Sequence, residues 1–135
     1  MTITWLEVGL GFVAAMAVAF FWYQKGPIAD AWERLTGITP ERSRPVRARN
    51  MVQLAVANAL TTVGIALAVS AVSKAVGYGS VWLALLVGFA AWAAFSATTL
   101  LQHNAFEQKP GRLTVINTGY QLVMFLAVAL VVGLL

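Results

Sequence analysis

The stretch MVQLAVANALTTVGIALAVSAV, from Met51 to Val72, contains no charged residue. An α-helix rises 1.5 Å per residue, so a helix of this length reaches about 33 Å and crosses the roughly 30 Å of hydrocarbon in a bilayer. Apolar and polar residues do not alternate along it, which favours a helix over a strand of a membrane barrel. The stretch therefore predicts a membrane-spanning helix.

Three further apolar runs lie on either side of this stretch, at roughly residues 3–23, 81–102 and 113–135. The chain of 135 residues is 60% hydrophobic and 10% charged, whereas soluble domains carry about 25% charged residues. We therefore predict an all-α fold, a single integral membrane domain over residues 1–135 that forms a four-helix bundle. The chain has no cysteine and one histidine, so we expect no disulfide, no metal site and no cofactor.

The basic residues are distributed unequally between the two sides of these runs. The first and third loops together hold eight Lys and Arg residues, and the opposite side holds only Lys74. The positive-inside rule then places both loops in the cytoplasm and both termini in the periplasm, as two out–in–out hairpins in a bacterial inner membrane. Because the basic residues flank apolar runs instead of covering a surface, we expect no nucleic-acid partner.

The first loop has internal structure. In PIADAWERLT, residues 27–36, Pro27 suits the first turn of a helix and Gly37 suits its end. The apolar residues share one face, which predicts a short amphipathic helix on the inner leaflet. Thr39 suits the cap of a following turn. The arginines just before the second run are either a topology signal or a site for anionic lipid head groups; they are Arg42, Arg44, Arg47 and Arg49.

Polar side chains are concentrated around the turn between the third and fourth runs. Asn104 and Asn117 lie seven and six residues from Gly111, so in continuous helices they are level and within reach of a mutual hydrogen bond. These side chains are either hydrated at a helix end or join the two helices of the hairpin, or they form a binding or proton-handling site. They belong to Thr98, His103, Asn104, Glu107, Asn117, Tyr120 and Gln121.

Two carboxylates are candidates for ion chemistry. His103 and Glu107 are four residues apart, which favours a titrating pair on one helix face. We expect the Glu107 carboxylate to face the fourth run and to accept a hydrogen bond there from an amide, a hydroxyl or Arg112. Glu7 lies about five residues into the first run. It is either a hydrated carboxylate or an ion-coupling group in an oligomer.

The motifs TTL at Thr98, NAFE at Asn104 and INTGY at Ile116, together with WYQKGP near Trp22, resemble one family of small bacterial membrane proteins. That family is catalogued as a domain of unknown function, number seventeen-sixty-one, and the resemblance implies four membrane helices and no assigned activity. Two positions depart from its pattern: His103 stands where many members have Asn, and Gln121 where many have His. A proton-transfer role built on the second histidine does not carry over.

Three classes of function remain open at this point. The first is a non-catalytic scaffold, sensor or modulator of a partner or lipid, which we favour. The second is a subunit of a small oligomeric transporter or channel that uses Glu7 or the Glu107 cluster. The third, an intramembrane enzyme, is least supported because no nucleophile–base set is visible. Small residues four apart, as in GLGFVAAMAVA, Gly64/Ala68 and Ala90/Ala94, allow close helix contact and lead us to expect a homo-oligomer, with a dimer favoured.

Overall fold

The computed structural model describes residues 3–24 and 26–135, in which all regular structure is helical. A 3₁₀ turn at Arg44–Val46 and a π-helical segment at Trp92–Ala97 interrupt the α-helices. The α-helices are α1 (Trp5–Trp22), α2 (Pro27–Thr36), α3 (Pro40–Ser43), α4 (Arg47–Val76), α5 (Val81–Ala91), α6 (Thr98–Phe106) and α7 (Gly111–Leu134). Four continuous helical stretches are long and apolar enough to cross a membrane: Trp5–Trp22, Pro40–Val76, Val81–Phe106 and Gly111–Leu134.

The ends of the loop helices lie where the sequence predicts them. α2 starts at Pro27 and ends at Gly37, which has the left-handed φ of 70° that favours glycine. The Thr39 side chain accepts a hydrogen bond from the Arg42 backbone N–H at 3.2 Å and so caps α3. α4 begins at Arg47, four residues before the predicted run. Arginine is a good helix former, and hydropathy marks only the apolar part of a helix.

α7 lies at the centre of the fold and packs against α1, α4 and α5. α4 also contacts α1 and α5. The buried face of α7 carries Tyr120, Met124, Val128 and Val132 at four-residue spacing. This periodicity places one continuous stripe of α7 against the other long helices.

Small residues bring the helix backbones close at two places, of which the sequence predicts the one on α1. On α1, Gly11, Ala15 and Ala19 are buried on one face. A Cβ atom added to Gly11 would lie 2.7 Å from Thr62 Cγ2 of α4. On α5, a Cβ atom added to Gly88 would lie 2.7 Å from the Ala129 Cβ of α7. Helices in lipid gain van der Waals contact from such close approach.

Two other predicted small-residue spacings do not form contacts of this kind. A Cβ atom added to Gly64 would meet no atom within 4 Å. Ala90 and Ala94 are both exposed. These positions lie on the outer surface of the packed helices, so their small size reflects the alanine content of the chain and not tight packing within it.

Two threonines follow the π-helical segment in the third long helix and bond back to it. A π turn replaces i→i+4 hydrogen bonds by wider i→i+5 bonds. The Thr98 hydroxyl donates to the Ala94 carbonyl at 2.8 Å, and the Thr99 hydroxyl donates to the Phe95 carbonyl. Each of these two carbonyls therefore accepts a hydrogen bond from a threonine hydroxyl four residues later.

Candidate functional site

Tyr23, at the end of α1, links three helices. Its hydroxyl donates a 2.7 Å hydrogen bond to Asn117 Oδ1 of α7, 94 residues away in sequence. Its ring makes edge-to-face contacts with Tyr120 of α7, at 5.2 Å between centroids, and with Trp32 of α2, at 5.8 Å. Tyr23 belongs to the WYQKGP motif at the end of the first apolar run, and nothing local in the sequence identifies its partners.

Asn104 is buried, and its Nδ2 donates to Thr114 Oγ1 at 3.0 Å. The predicted hydrogen bond between Asn104 and Asn117 is therefore wrong. The reason is that α6 ends at Phe106, only two residues after Asn104, whereas α7 begins immediately at Gly111. Thr114, three residues into α7, is level with Asn104, and Asn117 lies a further turn along.

Glu107 directly follows the last residue of α6 and is exposed. Its Oε2 lies 2.9 Å from Lys109 Nζ, in a salt bridge whose side chains are both about half exposed. The hydrogen bond from the Lys109 ammonium lowers the pKa of Glu107, and His103 adds a smaller effect in the same direction. Gln108 follows with a left-handed φ of 55°, so the chain turns outward at this point. The expected contact between Glu107 and the fourth helix is wrong.

The remaining members of the predicted cluster are dispersed. His103 and Thr98 are exposed, and the Thr98 hydroxyl is bonded to its own helix. Gln121 Oε1 accepts a 3.4 Å hydrogen bond from Ser96 across the α7 contact. The seven residues thus occupy several separate sites. Tyr120 and Asn117 lie together at Tyr23, whereas Asn104 and Gln121 each have a different partner.

Glu7 is buried, with 4% of its surface exposed, at the beginning of α1. Its Oε2 accepts a hydrogen bond from the Thr4 backbone N–H at 2.8 Å, and the Thr4 hydroxyl accepts one from the Glu7 N–H at 3.2 Å. This reciprocal pair is a capping box. α1 begins at Trp5, so Glu7 lies in the first helical turn and is less deep than the sequence predicts.

Asn58 is buried on α4, and its Nδ2 donates to Met16 Sδ of α1 at 3.3 Å. Beside it, the Tyr120 hydroxyl is buried and has no hydrogen bond within the described residues, with the Asn58 side chain as its polar neighbour. The polar groups at this level therefore connect α1, α4 and α7.

A large apolar groove lies between α1 and α4, with a volume of about 820 Å³. We call it the α1–α4 groove. Its lining includes Phe12, Met16 and Phe20 of α1, Met51 and Leu54 of α4, and the Tyr120 ring of α7. The sequence does not predict this groove, because its position depends on where the surfaces of α1 and α4 separate from each other in the packed structure.

The arginines that precede and begin α4 are all exposed: Arg42, Arg44, Arg47 and Arg49. Arg42 donates to the Gly37 carbonyl and Arg49 to the Asn50 side chain, each at 3.4 Å. Within residues 3–24 and 26–135, neither Arg44 nor Arg47 forms a salt bridge. These two guanidinium groups are directed to the surroundings of the protein at one end of the long helices.

The sequence model of the family described as "Protein of unknown function (DUF1761)" matches residues 6–133. No curated protein and no solved structure matches the chain.

Proposed function

The chain belongs to this DUF1761 family, as its motifs predict, and we propose that it is a non-catalytic membrane protein that senses or modulates anionic lipid. In this proposal it forms a four-helix bundle of two out–in–out hairpins in the bacterial inner membrane, with both termini in the periplasm. The observation that carries the proposal is that Arg44 and Arg47 are both exposed and form no salt bridge with any residue that the structure describes.

The position of these arginines favours an external anion. Arg47 lies in the first turn of α4, where no acidic residue is present. Anionic head groups at a membrane surface contribute about 1 kcal/mol for each nearby Lys or Arg.

The contacts of α2 support its proposed place at the interface. α2 packs against the first turns of α7, and Trp32 contacts Tyr23 at the end of α1. Ile28, on the apolar face of α2, is 39% exposed. This arrangement holds α2 and the arginines that follow it at the same end of the long helices.

The polar groups inside the long helices support a non-catalytic role. Tyr23 with Asn117, Asn104 with Thr114, and the Trp92 Nε1 with the Thr118 carbonyl at 2.9 Å all join different helices. Such hydrogen bonds contribute on average about 0.6 kcal/mol each to membrane helix association. The polar side chains in these bonds hold the helices together.

The experiment measures the melting temperature of the purified protein in a neutral detergent, with added phosphatidylglycerol or phosphatidylcholine. We expect phosphatidylglycerol to raise the melting temperature more. The double variant R44Q/R47Q should lose this difference. The control K109Q/R112Q removes the same charge from the other basic loop and should keep it. Equal stabilisation by both lipids, or equal loss in both variants, would contradict the proposal.

The proposed topology is tested separately. A reporter that is active only in the cytoplasm, fused after Leu135, should give no signal, and a reporter that is active only in the periplasm should give a strong one. The reverse result would place the arginines in the periplasm, away from the anionic cytoplasmic leaflet.

The alternative is a subunit of a small oligomeric transporter or channel. It depends on Glu7, a carboxylate that is only 4% exposed near the start of a candidate span, and on a homodimer in mild detergent. Proton-coupled or ion flux in proteoliposomes that disappears in E7Q, together with a dimeric mass, would favour this alternative. A monomeric mass at every ratio of protein to detergent would exclude it.

A further inference from the structure

The α1–α4 groove is open toward the outside of the packed helices and is almost entirely apolar. Val13 and Phe20, two of its lining residues on α1, are 60% and 65% exposed, and Met51 on α4 is 50% exposed. Methionine side chains are flexible and polarisable, so Met16 and Met51 adapt their shape to an apolar guest. A concave surface of this kind in a membrane favours an elongated hydrocarbon chain.

The length of the groove corresponds to one leaflet. Its lining on α1 extends from Phe12 to Phe21, which is about 14 Å at 1.5 Å per residue, and Tyr23 and Gln24 continue it past the end of the helix. Half of the hydrocarbon thickness of a bilayer is about 15 Å. The groove therefore extends from near the middle of the candidate span to the end at which the basic segment lies.

Arg47 continues the α4 wall of the groove. Leu54, Met51 and Arg47 are spaced by three and four residues, so they share one face of α4. Arg47 is four residues beyond Met51, about 6 Å along the helix axis. Its guanidinium is exposed and forms no salt bridge within the described part of the chain. An unpaired cation thus lies one turn past the end of an apolar groove.

We propose that the α1–α4 groove seats one acyl chain of an inner-leaflet anionic phospholipid, with the phosphate of that lipid bound by Arg47. This inference rests on the proposed association with anionic lipid and adds a defined site to it. The combination of a leaflet-length apolar groove and an arginine at its end matches the shape and the charge of such a lipid. The acyl chain of a neutral phospholipid also fits the groove, but such a lipid has no net negative charge to attract Arg47.

The experiment is native mass spectrometry of the full chain in detergent, with equal amounts of phosphatidylglycerol and phosphatidylcholine. A17W and V13W each place a large ring in the groove. V13W replaces a side chain that is 60% exposed, so it leaves the packed core intact. The matched control is A90W, which adds the same ring at an exposed position of α5 that does not line the groove. R47Q removes the proposed phosphate contact.

We expect the wild-type protein and A90W to retain a single phosphatidylglycerol, and A17W and V13W to lose it. R47Q should reduce the preference for phosphatidylglycerol over phosphatidylcholine about fivefold while it still retains lipid. If A17W and V13W retain lipid like the wild type, the groove is not the site, although a loss in R44Q/R47Q would still support the lipid-sensing role. If both filling variants instead convert a dimer to a monomer, a second copy of the chain occupies the groove and the proposal is wrong.

Discussion

Gly88→Ala tests the closest contact between the third and fourth long helices. The new Cβ atom would lie 2.7 Å from the Ala129 Cβ and 3.3 Å from the Phe125 carbonyl oxygen. Both atoms are fixed to the α7 backbone, so the helices must separate. Overpacking of this kind costs about 1–3 kcal/mol, and the better helix propensity of alanine offsets about 1 kcal/mol. We expect a net loss of about 1 kcal/mol in the free energy of unfolding.

Gly64→Ala is the matched control, because a Cβ atom there meets no atom within 4 Å. It should gain up to about 1 kcal/mol from helix propensity alone. The assay is reversible unfolding in mixed micelles of sodium dodecyl sulfate and a mild detergent, followed by circular dichroism. G88A should therefore be about 2 kcal/mol less stable than G64A. In an A129G background the cost of G88A should shrink, because one of the two clashing atoms is gone. A G88A protein as stable as G64A would refute the packing of α5 on α7.

Three further experiments test the polar contacts of the helices. A double-mutant cycle of Tyr23→Phe and Asn117→Leu should give a coupling free energy of about 0.6 kcal/mol and at most about 1.7 kcal/mol. A coupling of zero would contradict the hydrogen bond between Tyr23 and Asn117. Glu107→Ala should leave the melting temperature unchanged, because the salt bridge between Glu107 and Lys109 is exposed. A marked drop in melting temperature would instead support the predicted contact between Glu107 and α7. Thr4→Ala should cost about 0.5–2 kcal/mol, whereas E7Q should cost less because glutamine also completes a capping box; the opposite order would refute the cap.

The features predicted correctly from the sequence are those set by local rules. Hydropathy and length locate the four candidate spans, and proline and glycine locate the ends of α2 at Pro27 and Gly37. These signals depend on a window of about twenty residues or on one or two backbone angles. They do not depend on how one helix is rotated against another.

The partners of the polar side chains required information that the sequence alone does not contain. The bond from Tyr23 to Asn117 joins residues 94 apart, and it depends on how α1 and α7 are rotated. The hydrogen bond between Asn104 and Thr114 depends on α6 ending at Phe106. An error of a few residues in the predicted end of this helix places a residue one turn further along α7 beside Asn104. The outward direction of Glu107 has the same cause.

The π-helical segment at Trp92–Ala97 affects how the residues of the third long helix align with those of related chains. A π turn holds one more residue than an α turn, so the segment takes up one additional residue without turning the helix that follows it. Removal of one residue from the segment should therefore restore a regular α-helix and leave Asn104 beside Thr114. In an alignment, relatives one residue shorter here should keep the same types of residue on either side of the gap.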